Sequence, residues 1–478
     1  MKSPMKSLAM LGAASLLMAC VQSAYASSDP TEQQFRALYK ELVETNTTLS
    51  SGSCTLAAER IAARLKTAGF PEADLHLFAD PAYPKEGGLV AVLPGSDPKA
   101  KAILLLAHID VVEAKREDWT RDPFTLIEED GKFFARGVVD DKAQAAIWAD
   151  TLVRFKSEGY VPRHTLKMAL TCGEETAGAF NGAEWLTKNR RELIDAGFAL
   201  NEGAGGELNA AGRRVSMTVQ AGEKVAQNYR LEVTNRGGHS SRPQKINAIY
   251  QLAGALKKIE TFSFPNQLTD GSRGYLKGMA KIQAAEGHPD VAKAMLAVEK
   301  NPKDAKSVAL LDSRDISWAT MLHTTCVATM LDAGHATNAL PQRARANVNC
   351  RIFPGVSQEE VRLALVKAIN DPAVKVETLE IRGENSAPPE LTRAIMEPVE
   401  KLTAKMWPGV PVLPILQSGA TDGQFLNAAG IPTYGISGIF LTPDLGNIHG
   451  LNEYIGVQSL MEGRAFLHEL VRTYAGQP

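Results

Sequence analysis

Three short apolar runs, each ending abruptly in polar or charged residues, constrain this chain more than any other feature. Ala102-Ile103-Leu104-Leu105-Leu106-Ala107 leads into His108-Ile109-Asp110. Leu166-Lys167-Met168-Ala169-Leu170 leads into Thr171-Cys172-Gly173-Glu174-Glu175, and Phe198-Ala199-Leu200 into Asn201-Glu202-Gly203. Runs this short read as buried strands. Between the first two, Ala146, Ile147, Ala149, Leu152 and Val153 recur at helix-like spacing and predict a helix over roughly 142–157. Strands alternating with helices imply an α/β sheet with helices on its faces. In such sheets ligands bind beyond the carboxyl ends of the strands, which is where these His, Asp and Glu residues fall.

The pattern does not hold throughout. Near residue 215 it changes: Val215-Ser216-Met217-Thr218-Val219 and Tyr229-Arg230-Leu231-Glu232-Val233 read as antiparallel strands. Helical stretches follow around 244–259 and 288–310, and 344–352 alternates as another strand. From about 385 the α/β character returns, with Ile431 to Ile436 as a strand. A chain of 478 residues exceeds one ordinary core. The expected organisation is a catalytic domain in two parts, 27–214 and 356–478, interrupted by an inserted α+β domain over 215–355. With 44% hydrophobic and 22% charged residues, the chain is not mostly disordered. Its formal net charge of -2 lacks the basic excess of a nucleic-acid binder.

Lys2 and Lys6 precede an apolar run from Leu8 to Ala19, and Ala24-Tyr25-Ala26 follows. Basic start, apolar core and small-x-small site read as a secretory signal peptide over 1–26. The run is shorter than the roughly 20 residues of a membrane span. The expectation is a secreted or periplasmic protein without a transmembrane span; a lipoprotein site at Cys20 is the alternative. Four further cysteines, Cys54, Cys172, Cys326 and Cys350, have no Cys-x-x-Cys spacing. Buried free thiols are the default reading, and a Cys326–Cys350 bridge is left open.

The polar clusters have chemistry in common. In His108-Ile109-Asp110, positions i and i+2 share a face of a strand, so an imidazole can bind a metal while the carboxylate fixes its other nitrogen. Gly137-Val138-Val139-Asp140-Asp141-Lys142 places two acids at a helix start, where they serve equally as caps. Glu174 and Glu175 follow apolar residues, so one can ligate a metal while its neighbour, close but not a ligand, acts as a base. Glu202 ends another strand, and Asn447-Ile448-His449-Gly450 supplies a late histidine. Two histidines and several carboxylates form the donor set of a two-metal hydrolytic site. Two such ions, about 3.5–4 Å apart, share a bridging water and lower its pKa towards neutrality.

At these residues the chain resembles the co-catalytic di-zinc exopeptidases that include carboxypeptidase G, succinyl-diaminopimelate desuccinylase, aminoacylase-1 and carboxypeptidase S. The resemblance covers essentially the whole chain after the leader, and five motifs stand in family order. It implies a zinc-exopeptidase-like mixed sheet flanked by helices, with an inserted lid or dimerisation domain. It implies two divalent metal ions, zinc first, with cobalt or manganese as alternatives. His108 and Glu202 would bind one ion, Glu175 and His449 the other, and Asp140 both, with a cis bond to Asp141. Asp110 would orient His108, and Glu174 would be the general base.

In the inserted domain, Gly237-Gly238-His239-Ser240-Ser241 resembles the family's lid motif. His239 would stabilise the tetrahedral oxyanion in the partner subunit of a homodimer. Arg351, in Cys350-Arg351-Ile352-Phe353-Pro354-Gly355, would clamp a substrate carboxylate, with Asn338 beside it. Ser418 and Gly419 lie in a loop resembling the one that contacts substrate. Two departures stand out: Asn201 replaces the Asp of some relatives, and 266–330 is longer than in compact members, as in the carboxypeptidase S-like branch. The resulting expectation is a secreted metal-dependent carboxypeptidase or dipeptidase, cleaving an amide bond next to a free α-carboxylate through a metal-bridged hydroxide. The alternative is an N-acyl-amino-acid hydrolase; a binding protein on the same scaffold would leave Glu174 without a purpose.

Overall fold

The computed structural model describes residues 29–176, 180–380 and 385–477. The signal peptide read over 1–26 and Cys20 lie outside the described residues. Ten strands form the large mixed sheet. Across it run Leu75–Phe78, Gly88–Leu93, Leu166–Thr171, Ile103–His108, Phe198–Asn201, Thr433–Gly435, Arg214–Glu223, Gly206–Leu208 and Phe440–Leu441. Val412–Gln417 pairs with Arg214–Glu223 off this path. The middle strands, from Leu166–Thr171 to Thr433–Gly435, are parallel. Their carboxyl ends therefore open on one edge.

The strand Ile103–His108 shows why its sequence is apolar throughout. Ile103, Leu105 and Ala107 face one core, built with the helices Pro30–Glu44, Cys54–Thr67, Lys142–Ser157 and Val457–Gly476. Leu104 and Leu106 face another, with Leu186 of Gly182–Asn189 and Phe425 and Leu426 of Gly423–Ala428. Alternate residues point to opposite faces, and both faces are covered. The helix expected over 142–157 is Lys142–Ser157.

A second, four-stranded sheet runs Thr325–Ala333, Arg343–Ile352, Val225–Thr234 and Val374–Thr378, all antiparallel. One face, with Tyr229, Leu231, Val233, Ala346 and Val348, packs on the helices Ala248–Thr261 and Gln358–Ile369. The two strands read around 215–219 and 229–233 do not pair with each other. They lie in Arg214–Glu223 of the large sheet and Val225–Thr234 of the small one, with Lys224 between them. We propose that the inserted unit spans 225–379, since Val374–Thr378 pairs within the small sheet.

The helical stretch read over 288–310 is two helices, Pro289–Lys300 and Ala305–Arg314. Pro302 falls between them, where a ring without an N–H cannot continue a helix. With Asp270–Ala285, which the sequence reading missed, and Ile316–Thr320, they enclose a separate core around Leu276, Met295, Val298 and Leu322. Cys54 is bonded to Cys172 and Cys326 to Cys350, which corrects the free-thiol reading. The second bridge joins partners on adjacent strands. The first joins residues 118 apart in sequence.

His468, on the C-terminal helix, is buried against Phe155, with ring centroids 4.7 Å apart. Burial first, then Arg154, Arg472 and Arg464, push its pKa down to about 3. Glu158 lies 3.8 Å from its Nε2. An unfolded imidazole titrates near ~6.5. Between these values the unfolded chain binds a proton that the folded chain refuses, so this group makes stability fall as pH drops from about 6.5 towards 3. Urea unfolding of His468→Gln should show a shallower loss of stability between pH 7 and pH 4 than the parent. Equal slopes would refute this account.

Candidate active site

His108 ends its strand and is almost wholly buried. Its Nε2 lies 3.0 Å from Asp140 Oδ1 and 3.6 Å from Glu202 Oε1. Asp140 presents its other oxygen, Oδ2, to His449 Nε2 at 3.1 Å. His449 Nε2 is also 3.0 Å from Glu175 Oε1. Donor atoms of His108, Asp140 and Glu202 thus lie within 4.8 Å of one another, as do those of Asp140, Glu175 and His449. The two triads share Asp140. Four stretches of chain far apart in sequence, and His449 from a fifth, converge on one point.

Each donor is positioned by local structure. Glu174 and Glu175 follow the strand Leu166–Thr171, where Gly173 turns the chain at φ +93°. A Cβ on Gly173 would sit 1.8 Å from the Phe180 carbonyl oxygen, so only glycine fits. The Asp110 backbone carbonyl lies 3.1 Å from His108 Nδ1, and its carboxylate oxygen 3.5 Å away. That carboxylate accepts the backbone N–H groups of Glu174 and Glu175 at 3.3 and 3.0 Å. One acid therefore lies against both the imidazole and the Gly-Glu-Glu turn. The bond between Asp140 and Asp141 is cis. His449 sits at φ +62° in an irregular loop and is half-exposed.

The electrostatics are those of too many acids in one place. Burial raises Glu202 well above the usual carboxylate range, and Asp140, Asp141 and Glu174 add to it. Burial does the same to Glu174, with Asp422, Glu175 and Asp110. Burial disfavours charge on Asp140 too, yet the hydrogen bonds from His108 and His449 hold its pKa below the usual range. His449 is raised to about 10 by its bonds to Asp140 and Glu175. Asp141 Oδ2 is buried with no hydrogen-bond partner among the described residues. Oxygen and imidazole donors crowded at this spacing fit two divalent cations, whose charge would offset the repulsion.

The remaining sequence-read residues are not bonded to the two triads. His239 and Ala339 pair on a two-residue ribbon, and the Asn338 carbonyl accepts the Ser240 N–H at 3.0 Å. His239 is exposed and its Nδ1 lies 2.7 Å from Ser241 Oγ. Arg351 is on the strand Arg343–Ile352, and its side chain meets no acid of the described residues. Ser418 and Gly419 follow the strand Val412–Gln417, with Gly419 exposed. Among the described residues, no hydrogen bond or ion pair joins His239, Asn338, Arg351, Ser418 or Gly419 to the two triads.

Sequence reasoning missed Glu453. It is wholly buried and ion-paired with Arg136 at 2.8 Å. Its two oxygens accept N–H bonds from Gly137 at 3.0 Å, Val139 at 2.9 Å and Asp140 at 3.3 Å. One carboxylate therefore folds the loop that presents Asp140. In sequence it looks like a surface acid among Asn452 and Tyr454. Lys142 was noticed only as part of a motif; it is fully buried, donates to the Thr45 carbonyl at 2.8 Å, and burial lowers its pKa to about 7.

Comparison with known proteins follows the same geometry. The model of Peptidase family M20/M25/M40 matches residues 104–473. This chain belongs to that family. It is a metallohydrolase acting on amide bonds, in a family of dinuclear metal-binding peptidases. It is 28% identical over 387 residues to human N-fatty-acyl-amino acid synthase/hydrolase PM20D1, covering 80% of this chain and 75% of that protein. Probable carboxypeptidase S-like 2 of Dictyostelium discoideum is 26% identical over 386 residues, covering 79% and 73%. The crystal structure of the metallo-carboxypeptidase Sso-CP2 from Sulfolobus solfataricus superposes with a TM-score of 0.68 at 18% identity, over 94% of this chain and 99% of that one. The mixed sheet flanked by helices is this family's fold.

Removing the Glu453 charge should break the Asp140 loop. Glu453→Gln leaves Arg136 buried without its partner, and breaking such pairs costs about 3–5 kcal/mol. Denaturant unfolding of the metal-free protein should show that loss. Glu128→Gln, a substitution of an exposed acid, should change stability by less than about 0.5 kcal/mol. Equal stabilities of the two variants would contradict this role.

Proposed function

We propose that the chain is an exported carboxypeptidase or dipeptidase that hydrolyses the amide bond next to a free α-carboxylate. The observation that carries the reading is Asp140, one carboxylate facing two imidazoles, with a second acid, Glu174, next to Glu175. His108 and Glu202 would hold one cation, Glu175 and His449 the other, and Asp140 both. Zinc suits these donors best, and cobalt or manganese would also fit. When bound, the pair supplies Lewis acidity that polarises the scissile carbonyl and acidifies the attacking water.

The chain's own residues do the rest. Glu174 takes the proton from the attacking water and delivers it to the leaving nitrogen. Asp110 keeps His108 and the Glu174 backbone in register. Arg351 pairs with the substrate carboxylate, supported by its guanidinium having no acid partner among the described residues. Asn338 hydrogen-bonds beside it, Ser418 and Gly419 contact the substrate backbone, and His239 donates to the developing oxyanion.

Export is supported by two disulfides, which persist in oxidising compartments. No helix among the described residues is long and apolar enough to cross a membrane. A homodimer through the inserted unit is supported by its edge strand Thr325–Ala333, which leaves Val327, Met330 and Leu331 exposed. An apolar, unpaired edge is a template for a second copy. Pairing there would let His239 serve the neighbouring subunit.

A second reading, hydrolysis of N-acyl amino acids, is favoured by the similarity to PM20D1, an N-fatty-acyl-amino acid synthase/hydrolase. Both reactions cleave an amide beside the same carboxylate, so a panel of dipeptides and N-acyl amino acids separates them. Glu174→Ala should keep its metal content while kcat falls about 10²–10⁴-fold. Full activity in that variant removes the proposed base. Met330→Lys with Leu331→Lys should halve the mass measured by light scattering and reduce turnover. A parent protein that is already monomeric at micromolar concentration would refute the dimer.

A further inference from the structure

Two consecutive side chains, Thr421 and Asp422, tie together the strand ends from which the acids of the site project. Asp422 is 1% exposed. Its Oδ2 accepts the Thr171 hydroxyl at 2.7 Å and its Oδ1 accepts Asn181 Nδ2 at 2.7 Å. Asn181 Nδ2 also donates to the Gly173 carbonyl at 3.2 Å, and Asn181 Oδ1 accepts the Glu184 N–H at 2.8 Å. Thr421 Oγ1 accepts Asn201 Nδ2 at 3.0 Å and the Gly423 N–H at 3.0 Å.

These contacts have a common target. Thr171 ends the strand that precedes Gly173-Glu174-Glu175, and Asn201 ends the strand that precedes Glu202. In the sheet these two strands straddle the one that ends at His108. Thr171 Oγ1 lies 3.3 Å from the carbonyl oxygen of Ala107, next to His108. One short segment therefore reaches two strand ends directly and the third through Thr171. A buried carboxylate is costly to desolvate, and no basic side chain pairs with Asp422 among the described residues. Neutral donors alone meet it. Such a group contributes more to geometry than to stability.

We infer that Asp422, through Asn181 and the Gly173 carbonyl, is a positioning residue for Glu174, and that Thr421 positions Glu202 through Asn201. The inference rests on the reading of Glu174 as the base. Asp422 bonds to neither triad, so beyond the repulsion its charge exerts on Glu174 it acts by fixing the backbone from which Glu174 projects. Misplacement by about 1 Å is enough to cost ~10²-fold in rate. Replacing Asp422 by Asn keeps its volume, but the new amide brings N–H donors towards a site already occupied by donors.

The test uses the full-length, metal-loaded protein. Asp422→Asn should lower kcat about 10–100-fold, with KM, bound metal and melting temperature close to the parent. In the background of Glu174→Gln the same substitution should cost nothing further, because the group it positions has lost its function. A purely structural role would lower activity by the same factor in both backgrounds. Should Asp422→Asn fail to fold, Asn181→Ala removes the link between Asp422 and Gly173, together with the helix cap on the Glu184 N–H, and should give the same kcat loss and the same non-additivity. Parent-like kcat in either folded variant, or a full further loss on top of Glu174→Gln, overturns the inference. A fully active Glu174→Gln would instead overturn the base assignment and leave these contacts without a catalytic target.

Discussion

The carboxylate of Asp140 faces imidazoles on both sides, His108 at 3.0 Å and His449 at 3.1 Å. Everything else near it serves that placement. Asp140 belongs to a loop without regular structure, and Glu453 folds that loop by accepting three of its N–H groups while paired with Arg136. Glu175 and Glu202 approach from separate strand ends, and burial sets all of these acids against one another. An arrangement of this kind is unfavourable as a set of bare charges. It becomes favourable when cations of matching number occupy the space between the donors, so the same geometry that destabilises the empty acids defines what the fold is built to hold.

Much of this was legible in the sequence, for a reason specific to parallel sheets. Strands buried on both faces must be apolar along their length, so the chain announces where each one stops. His108, Glu174, Glu175 and Glu202 stand just past those stops, and the sheet brings the stops to one edge. Asp140 and His449 could be read from the sequence as candidate donors, but their places in the site came only through the resemblance, because nothing periodic precedes them. Glu453 and Asn181 were not legible as site residues at all, and Asp422 only as the end of the loop Ser418-Gly419-Ala420-Thr421-Asp422 that the resemblance places beside the pocket. Their partners are backbone N–H groups, a guanidinium, a hydroxyl, a carbonyl and amide side chains up to 317 positions away, and a polar residue bonded to remote groups carries no local pattern.

The second sheet was recognised by its change of character, but Arg214–Glu223, read with it, belongs to the large sheet, and the cause is again physical. Arg214–Glu223 and Val225–Thr234 are adjacent in sequence and both carry β-branched residues, Val215, Thr218 and Val219 in the first and Val225, Val233 and Thr234 in the second. Propensity cannot distinguish a hairpin from a strand that leaves one sheet and enters another. The decision is made at Lys224, whose ammonium is buried against the Thr320 carbonyl at the end of the helical segment. Helices that the sequence joined or overlooked therefore matter to the junction: Gly274 and Gly278 of Asp270–Ala285 lie so close to Pro414 and Leu413 that a Cβ would collide. That contact braces the strand leading to Ser418, Thr421 and Asp422.

Seen from the Gly-Glu-Glu turn, the same bracing closes a circle. Cys172, just before Gly173, is bonded to Cys54 at the start of the helix Cys54–Thr67. Gly173 is held through its carbonyl by Asn181, and the Glu174 and Glu175 N–H groups are held by Asp110. The turn is thus fixed from three directions by a covalent bond, an amide and a carboxylate. A surface acid needs none of these. Such restraint suits the role of base proposed for Glu174, which would have to meet a proton within hydrogen-bond reach and return it to a leaving group. Because one of the restraints is a disulfide, the geometry of the turn and the compartment in which the chain folds become parts of the same argument: in a reducing cytoplasm the turn would keep only its non-covalent anchors.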